Sequence, residues 1–506
     1  MLGAVLAVAL AAADFVASQV VSEEPEAAAI TIYRGPAFVR YVRNVSGGLA
    51  QITETRTLDL PAGRSRISFR GVADTMVSQT VAIEGLPGAV LERNQDYDLL
   101  SPGALMKAAV GEAVRQVRTN RQTGVVTEQT ATIRSAGDGV VLQTADGLEA
   151  LSCSGLPERL VFDHVPEGLR DKPTLSVLAD APAAGRYKVR LSYLATGFNW
   201  SADYVARINP DGRTLDLSAW LTLTNHTATG FDQVPTQVVA GELSRSDETK
   251  PKLPDITGLA LTCWPSQMTG AAAYYGAPPP EVVVTAHRIE EVVVTARKTV
   301  ASQSELGDYK LYTLPEPTTV AARQTKQVLF LDQKAVRFER LYAYRFEAGD
   351  GHIDEENIPD AAGIVLRLNN RRDAGLGKPL PSGVFTVMQD AAYGRPILAG
   401  EHRAPTDTPV GLTLDLLLGQ AMDLRVEPRV MAVERNGDGG RYDVVVNLAN
   451  AKATPVLIEY RHAPFGAAFE VTGESQRHVN KAGDPMWLIR LAAGERKTLS
   501  YTVRHK

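Results

Sequence analysis

The chain has 506 residues, of which 44% are hydrophobic and 22% charged, with a formal net charge of −5 and a pI near 6.0. That length is too great for one hydrophobic core and predicts about two to four domains, while the ordinary composition argues against wholesale disorder. No Lys/Arg block occurs anywhere, which disfavours a nucleic-acid partner, because displacing counterions needs a concentrated basic face.

Residues 1–13 are almost wholly Leu, Ala and Val, with Ala9, Ala11 and Ala13 suited to a signal peptidase. Residues 1–22 therefore read as an export signal and the start of a linker. The Lys or Arg that normally opens such a signal is missing, which a start codon called too late explains; a buried N-terminal helix or strand is the other reading. No later stretch reaches the ~18 uninterrupted apolar residues of a membrane-spanning helix, so no integral helical span is expected in the mature chain.

A short acidic linker follows, and then the apolar period becomes two. Residues 30–33 and 37–42 alternate as half-buried strands do, Leu58 and Leu60 lead through a turn at Gly63 into residues 66–69, and further runs cover 80–84 and 90–93. These define an N-terminal β domain over residues 30–95. Ser101 before Pro102 is a helix N-cap with proline at the first helical position, and residues 104–110 supply one or two turns. Short strands at 113–118, 130–134, 140–143 and 148–151 are separated by Gly- or Asn-bearing turns. They predict a small barrel of the SH3 or Sm kind over residues 101–165.

Longer strands at 174–178, 187–193, 203–208 and 214–225 predict the first part of an antiparallel β-sandwich over residues 173–262. Strands at 327–331, 364–368, 384–388, 413–418, 441–448 and 498–503 predict a C-terminal β-sandwich over residues 306–506. The expected fold class is mostly β.

Residues 263–305 differ in composition. Ala, Tyr and Gly lead to Pro278, Pro279 and Pro280, an extended linker. A tandem repeat of period ten comes next: Glu281, Val282, Val283, Val284, Thr285 and Ala286 recur as Glu291, Val292, Val293, Val294, Thr295 and Ala296. The two cysteines, Cys153 and Cys263, either pair or stay free. In an oxidising compartment a bridge would close a loop of on the order of a hundred residues and constrain the unfolded chain by up to ~4–5 kcal/mol.

Local catalytic and metal-binding patterns are missing. There is no Gly-x-Ser-x-Gly elbow, no His-Glu-x-x-His, no phosphate loop and no Cys-x-x-Cys, and no cofactor or metal is expected. His352 with Asp354, Glu355 and Glu356 reads as a solvated acidic loop, because it lacks a partner set at ligand spacing. Trp200, Tyr204 and Trp220, on strands, read as core rather than as a sugar platform. His164, His226, His402 and His462 are scattered and read as surface or satisfied histidines. Catalytic carboxylates on distant loops would leave no local signature, so a hydrolase remains the alternative.

Several blocks carry a resemblance. Residues 193–204, 215–225 and 238–241, with 307–312, 378–383, Gly400 and Glu401, 408–411, Leu418 and Gly419, and 96–102, resemble the bacterial family called domain of unknown function 4139. Mucoidy-inhibitor-type proteins belong to the same wider group. The resemblance covers residues 30 to 503 and implies a β-sandwich core, export, and a periplasmic or outer-membrane-associated place in a Gram-negative envelope. It assigns no biochemical role. The long coiled coil of mucoidy-inhibitor-type members has no counterpart at residues 101–153, which weakens the hint of envelope polysaccharide.

The repeat resembles the TonB-box region of TonB-dependent outer-membrane receptors. Three valines and a threonine favour an extended strand, the prolines before them keep it separate, and a free strand can add to a partner's sheet edge through main-chain hydrogen bonds. Receptors carry one copy near the N-terminus, whereas this chain carries two in mid-sequence, so the alternative is a surface hairpin of the two copies. The expected function is an exported envelope binding or structural module with a strand-donating site for a TonB-like periplasmic partner. The alternative is a hydrolase of an envelope polymer.

Overall fold

The computed structural model describes residues 17–35, 48–96, 100, 102–120, 123–136, 139–150, 158–166, 169–241, 243, 301–348, 360–390, 394–436, 439–464 and 469–505. Residues 1–16 of the predicted export segment, the run at 37–42, the 351–356 loop and the whole repeat lie outside them, whereas residues 18–22, read as the start of a linker, form a strand. Over the described residues the fold is mostly β, as expected, with one α-helix, seven residues long.

The first six strands are β1 (Ser18–Ser22), β2 (Ala27–Tyr33), β3 (Leu49–Leu60), β4 (Gly63–Arg70), β5 (Met76–Glu84) and β6 (Val90–Asp96). Helix α1 (Pro102–Ala108) follows, where proline at its first position suits a helix start. Then come β7 (Ala113–Thr119), β8 (Val126–Ala136), β9 (Val140–Thr144), β10 (Gly147–Ala150) and β11 (Glu158–Val161). The chain continues through β12 (Thr174–Ala181), β13 (Gly185–Thr196), β14 (Phe198–Ile208), β15 (Thr214–Asn225), β16 (Phe231–Val234) and β17 (Thr236–Ala240).

These strands do not pair within the segments drawn from sequence. One sheet runs β1-β4-β12-β6, so β12 crosses the boundary at residue 95 to lie between β4 and β6. Strand β13 likewise returns to sit between β3 and β5. The N-terminal module is completed by strands expected in the sandwich, and residues 102–161 are an insertion between β6 and β12. Within the insertion the order β10-β9-β8-β7-β11 leaves β10 and β11 as edges among the described residues, with no backbone pairing between them there. Its core is its own, built from Ala109, Val114, Ala131, Ile133, Val140 and Leu142.

Strands β18 (Ser302–Leu306) and β19 (Tyr309–Thr313) extend a second sheet of the N-terminal module in the order β18-β19-β17-β2-β3-β13-β5. Strand β20 (Thr318–Val320) pairs with β16. The remaining strands are β21 (Gln324–Ala348), β22 (Asp360–Asn369), β23 (Gly383–Asp390), β24 (Pro396–Ala404), β25 (Thr413–Asn436), β26 (Gly439–Asn450), β27 (Val456–Pro464), β28 (Phe469–Thr472), β29 (Val479–Lys481), β30 (Asp484–Leu491) and β31 (Arg496–His505).

They build one long sheet, β24-β23-β14-β15-β21-β22-β25-β26-β31-β28, with β27, β30 and β29 branching from β21. Strand β15 shows why these residues make strands: Leu215, Leu217, Ala219, Leu221 and Leu223 are buried and every intervening residue is half-exposed. The sheet curls until its first strand meets β25. There Gly400 lies so near the Leu418 carbonyl that a Cβ would sit 2.4 Å from the oxygen. The curled strands share one core with the N-terminal sheets, joining Ile30, Phe69 and Leu191 to Tyr204, Leu366, Phe385 and Leu416.

A second core, around Tyr442, Tyr460, Trp487 and Tyr501, is enclosed by the far half of the same sheet. Strands β21 and β25 run through both. Strand β21 bends between its halves at Ala335, whose φ of 53° is left-handed. The Asp216 carboxylate accepts the Ala335 N–H at 3.0 Å, and that bond chiefly holds its carboxyl below the usual range.

Candidate functional site

The partner-binding residues 281–286 and 291–296 lie outside the described residues, as do Cys153 and Cys263. What the structure places is the ground on either side of the repeat. Strand β17 leads out of the sheet at Gly241, where φ is 113° and the Tyr309 ring stands 2.6 Å from where a Cβ would be. Only glycine suits that exit. Strand β18 brings the chain back along the other side of β19, with Ala240 opposite Lys310 on one flank and Ser302 opposite Thr313 on the other.

Among the described residues β18 is the edge of its sheet. Ser302, Gln303, Ser304 and Glu305 are exposed, and Lys310 Nζ meets the Glu305 carboxylate at 2.6 Å. A short, polar, charged edge resists uncontrolled strand addition. The second copy of the repeat ends within a few residues of this edge strand.

The blocks that carry the family resemblance meet in space. Arg34, next to residues 36–47, lays its guanidinium 4.1 Å from the centre of the Trp200 ring. Its Nη1 donates to Ser382 Oγ and, at 3.1 Å, to Asp407 Oδ1. The Tyr204 hydroxyl donates to the Pro381 carbonyl at 2.7 Å, the Tyr312 hydroxyl to the Pro379 carbonyl at 3.2 Å, and Trp200 Nε1 to the Val239 carbonyl at 3.1 Å. Leu380 and Thr408 exchange both main-chain bonds. Trp200 and Tyr204 are each 1% exposed, so neither offers a face to a sugar. Trp220 departs from the core reading: it alternates with the buried Ala219 and Leu221 and is half-buried on the opposite face.

A group of charges that the sequence did not single out gathers on β22, β25, β27 and β29. Arg367 pairs with Asp415 at 2.7 Å and Glu459 at 2.6 Å, and Lys481 bridges the same carboxylates at 3.4 and 2.7 Å. Burial pushes both carboxyls up, but the hydrogen bonds and charges of Arg367 and Lys481 outweigh it and hold both below their ordinary values. A general acid needs the reverse shift, so this pair is arranged as an ion network rather than as glycosidase carboxylates. In sequence Arg367 was one polar residue between Leu366 and Leu368 and gave no sign of its partners.

Two of the four scattered histidines have enclosed or hydrogen-bonded rings. His462 is fully buried between the hydroxyls of Tyr501 at 2.9 Å and Tyr442 at 3.3 Å. The Leu417 N–H donates to His402 Nδ1 at 3.3 Å, and burial lowers the His402 pKa. No helix among the described residues is long and apolar enough to cross a membrane. No protein-family model matches this chain. No curated protein matches it either.

Proposed function

We propose that this chain is an exported cell-envelope protein of the domain-of-unknown-function-4139 kind, distantly mucoidy-inhibitor-like. It serves as a binding or structural module, periplasmic or outer-membrane-associated. Its sheets carry the tandem Val-Val-Val-Thr-Ala segment as a strand donor for a TonB-like periplasmic partner. One observation supports the reading: the strands on either side of the repeat, β17 and β18, flank β19 in the same sheet, and among the described residues β18 is one edge of it.

The test uses the purified periplasmic domain of TonB, the full chain and a chain lacking residues 280–298. Binding by the full chain alone is the expected result. Equal binding by both chains, or by neither, would sink the proposal. Mutual amide protection of the two copies would assign them to a hairpin instead.

A further inference from the structure

The long sheet meets itself where β24 reaches β25, and among the described residues the two strands pack together there without a ladder of main-chain bonds. Gly400 permits the approach, since a Cβ at that position would stand 2.4 Å from the Leu418 carbonyl oxygen. Close by, a side chain bridges the seam. The Leu417 N–H of β25 donates to Nδ1 of His402, on β24, at 3.3 Å. The ring stands where the carbonyl of a paired strand would otherwise accept.

An imidazole nitrogen accepts a hydrogen bond only while it carries no proton. With Nδ1 as the acceptor, His402 is neutral and its proton is on Nε2. Protonation places a second N–H on Nδ1, so the bond to Leu417 is lost and two donors face each other.

The surroundings favour the neutral ring. Phe385 of β23 lies opposite His402 across the strand pair. Burial lowers the pKa of the ring, and the Asp415 carboxylate of β25 raises it by less. Asp415 is itself held by Arg367 of β22 and Lys481 of β29, which also hold Glu459 of β27. Glu401 and Arg403, beside His402 on its own strand, occupy the alternate positions, whose side chains point to the other face. The Glu401 carboxylate accepts the Thr386 hydroxyl there at 3.4 Å.

We infer that the β24–β25 seam is a pH-sensitive latch: neutral His402 closes it by accepting the Leu417 N–H, and the imidazolium releases it. The sign is fixed by the direction of the shift. A histidine whose folded pKa lies below its ordinary value of about 6.5 contributes stability that is complete above that value. That stability declines as pH falls toward the folded pKa. Leu417 is 50% exposed, so water already reaches the seam and its release needs no opening of the core behind it.

Amide hydrogen exchange on the full chain tests this, with protection taken relative to the intrinsic rate at each pH. Wild type and His402→Asn are compared at about pH 7.5 and about pH 5, either side of the ordinary histidine value and above the carboxylate range. The asparagine Oδ1 replaces Nδ1 as acceptor and does not titrate. Wild type should lose about threefold in protection at Leu417 at the lower pH, and His402→Asn should lose none. Leu221, in the ladder between β14 and β15, should keep its protection in both proteins. Unchanged protection at Leu417 in wild type overturns the inference, and so does an equal loss in His402→Asn. An equal loss at Leu221 also overturns it, because acid would then be opening the molecule as a whole.

Discussion

Glu459 is 7% exposed on its side chain and Glu54 is fully enclosed, and each stays with a cation for the same reason. An ionised carboxylate out of water is costly unless charge and hydrogen bonds replace its hydration. Glu54 receives Arg56 Nε at 2.8 Å and the Tyr193 hydroxyl at 2.6 Å, while the other Arg56 nitrogens reach the Ser22 and Arg70 carbonyls. For Glu459 the replacements are Arg367 and Lys481. Arg367→Met should destabilise the protein by about 2–4 kcal/mol; Lys481 stays and Asp415 is partly solvated, so the full penalty for breaking a buried pair is not reached. Denaturant titration measures this. The pH dependence has a definite sign. Asp415 and Glu459 have depressed folded-state pKa values, so their stabilisation is complete above the ordinary carboxylate range and is lost as pH falls through the folded values. Wild type should therefore lose stability more steeply in acid than Arg367→Met does, and matched melting curves at neutral and acidic pH decide it.

Among the elements, individual strands were legible in the sequence because a period of two reports which side chains are buried. The runs at 58–60, 66–69, 113–118, 187–193 and 214–225 all lie in strands. Strand partners were not legible. An alternating pattern says that a face is covered and not by what, so β12 and β13 were assigned to a sandwich when they complete the N-terminal sheets. Close backbone contacts were equally hidden. Gly383 begins β23 beside β14, and a Cβ there would sit 2.0 Å from the Ala202 carbonyl oxygen. Gly383→Ala must push two paired strands apart and should cost about 1–3 kcal/mol, read from the shift in denaturation midpoint at unchanged slope. Gly411, equally a glycine of the resembling blocks, has open space where a Cβ would stand but a φ of 94°, so its need is conformational instead.

At the scale of the whole molecule, the described residues form three apolar cores, and their connections differ in strength. The large core and the aromatic C-terminal core share β21 and β25, strands of 25 and 24 residues, and the Arg367 network ties β22 and β25 to β27 and β29. These two should open as one cooperative unit, whereas the insertion, which shares no strand with them among the described residues, should open separately. Native-state hydrogen exchange in increasing denaturant should show Leu217 and Tyr442 merging into one isotherm and Leu142 following another. A common isotherm for all three contradicts this. The sequence by itself determined the class of the fold, the helix at Pro102, the two-residue period of the strands and the repeat that motivates the proposed partner. All of these are local, since side-chain period, capping and identity of repeated residues need no knowledge of distant chain. Tertiary structure alone decided that residues 102–161 interrupt a sheet, that β18 is an edge, that Trp200 is enclosed while Trp220 faces outward, and that Arg367 has two acidic partners. Each of these depends on which distant strands come together, and a strand's own residues record its burial but not its neighbour.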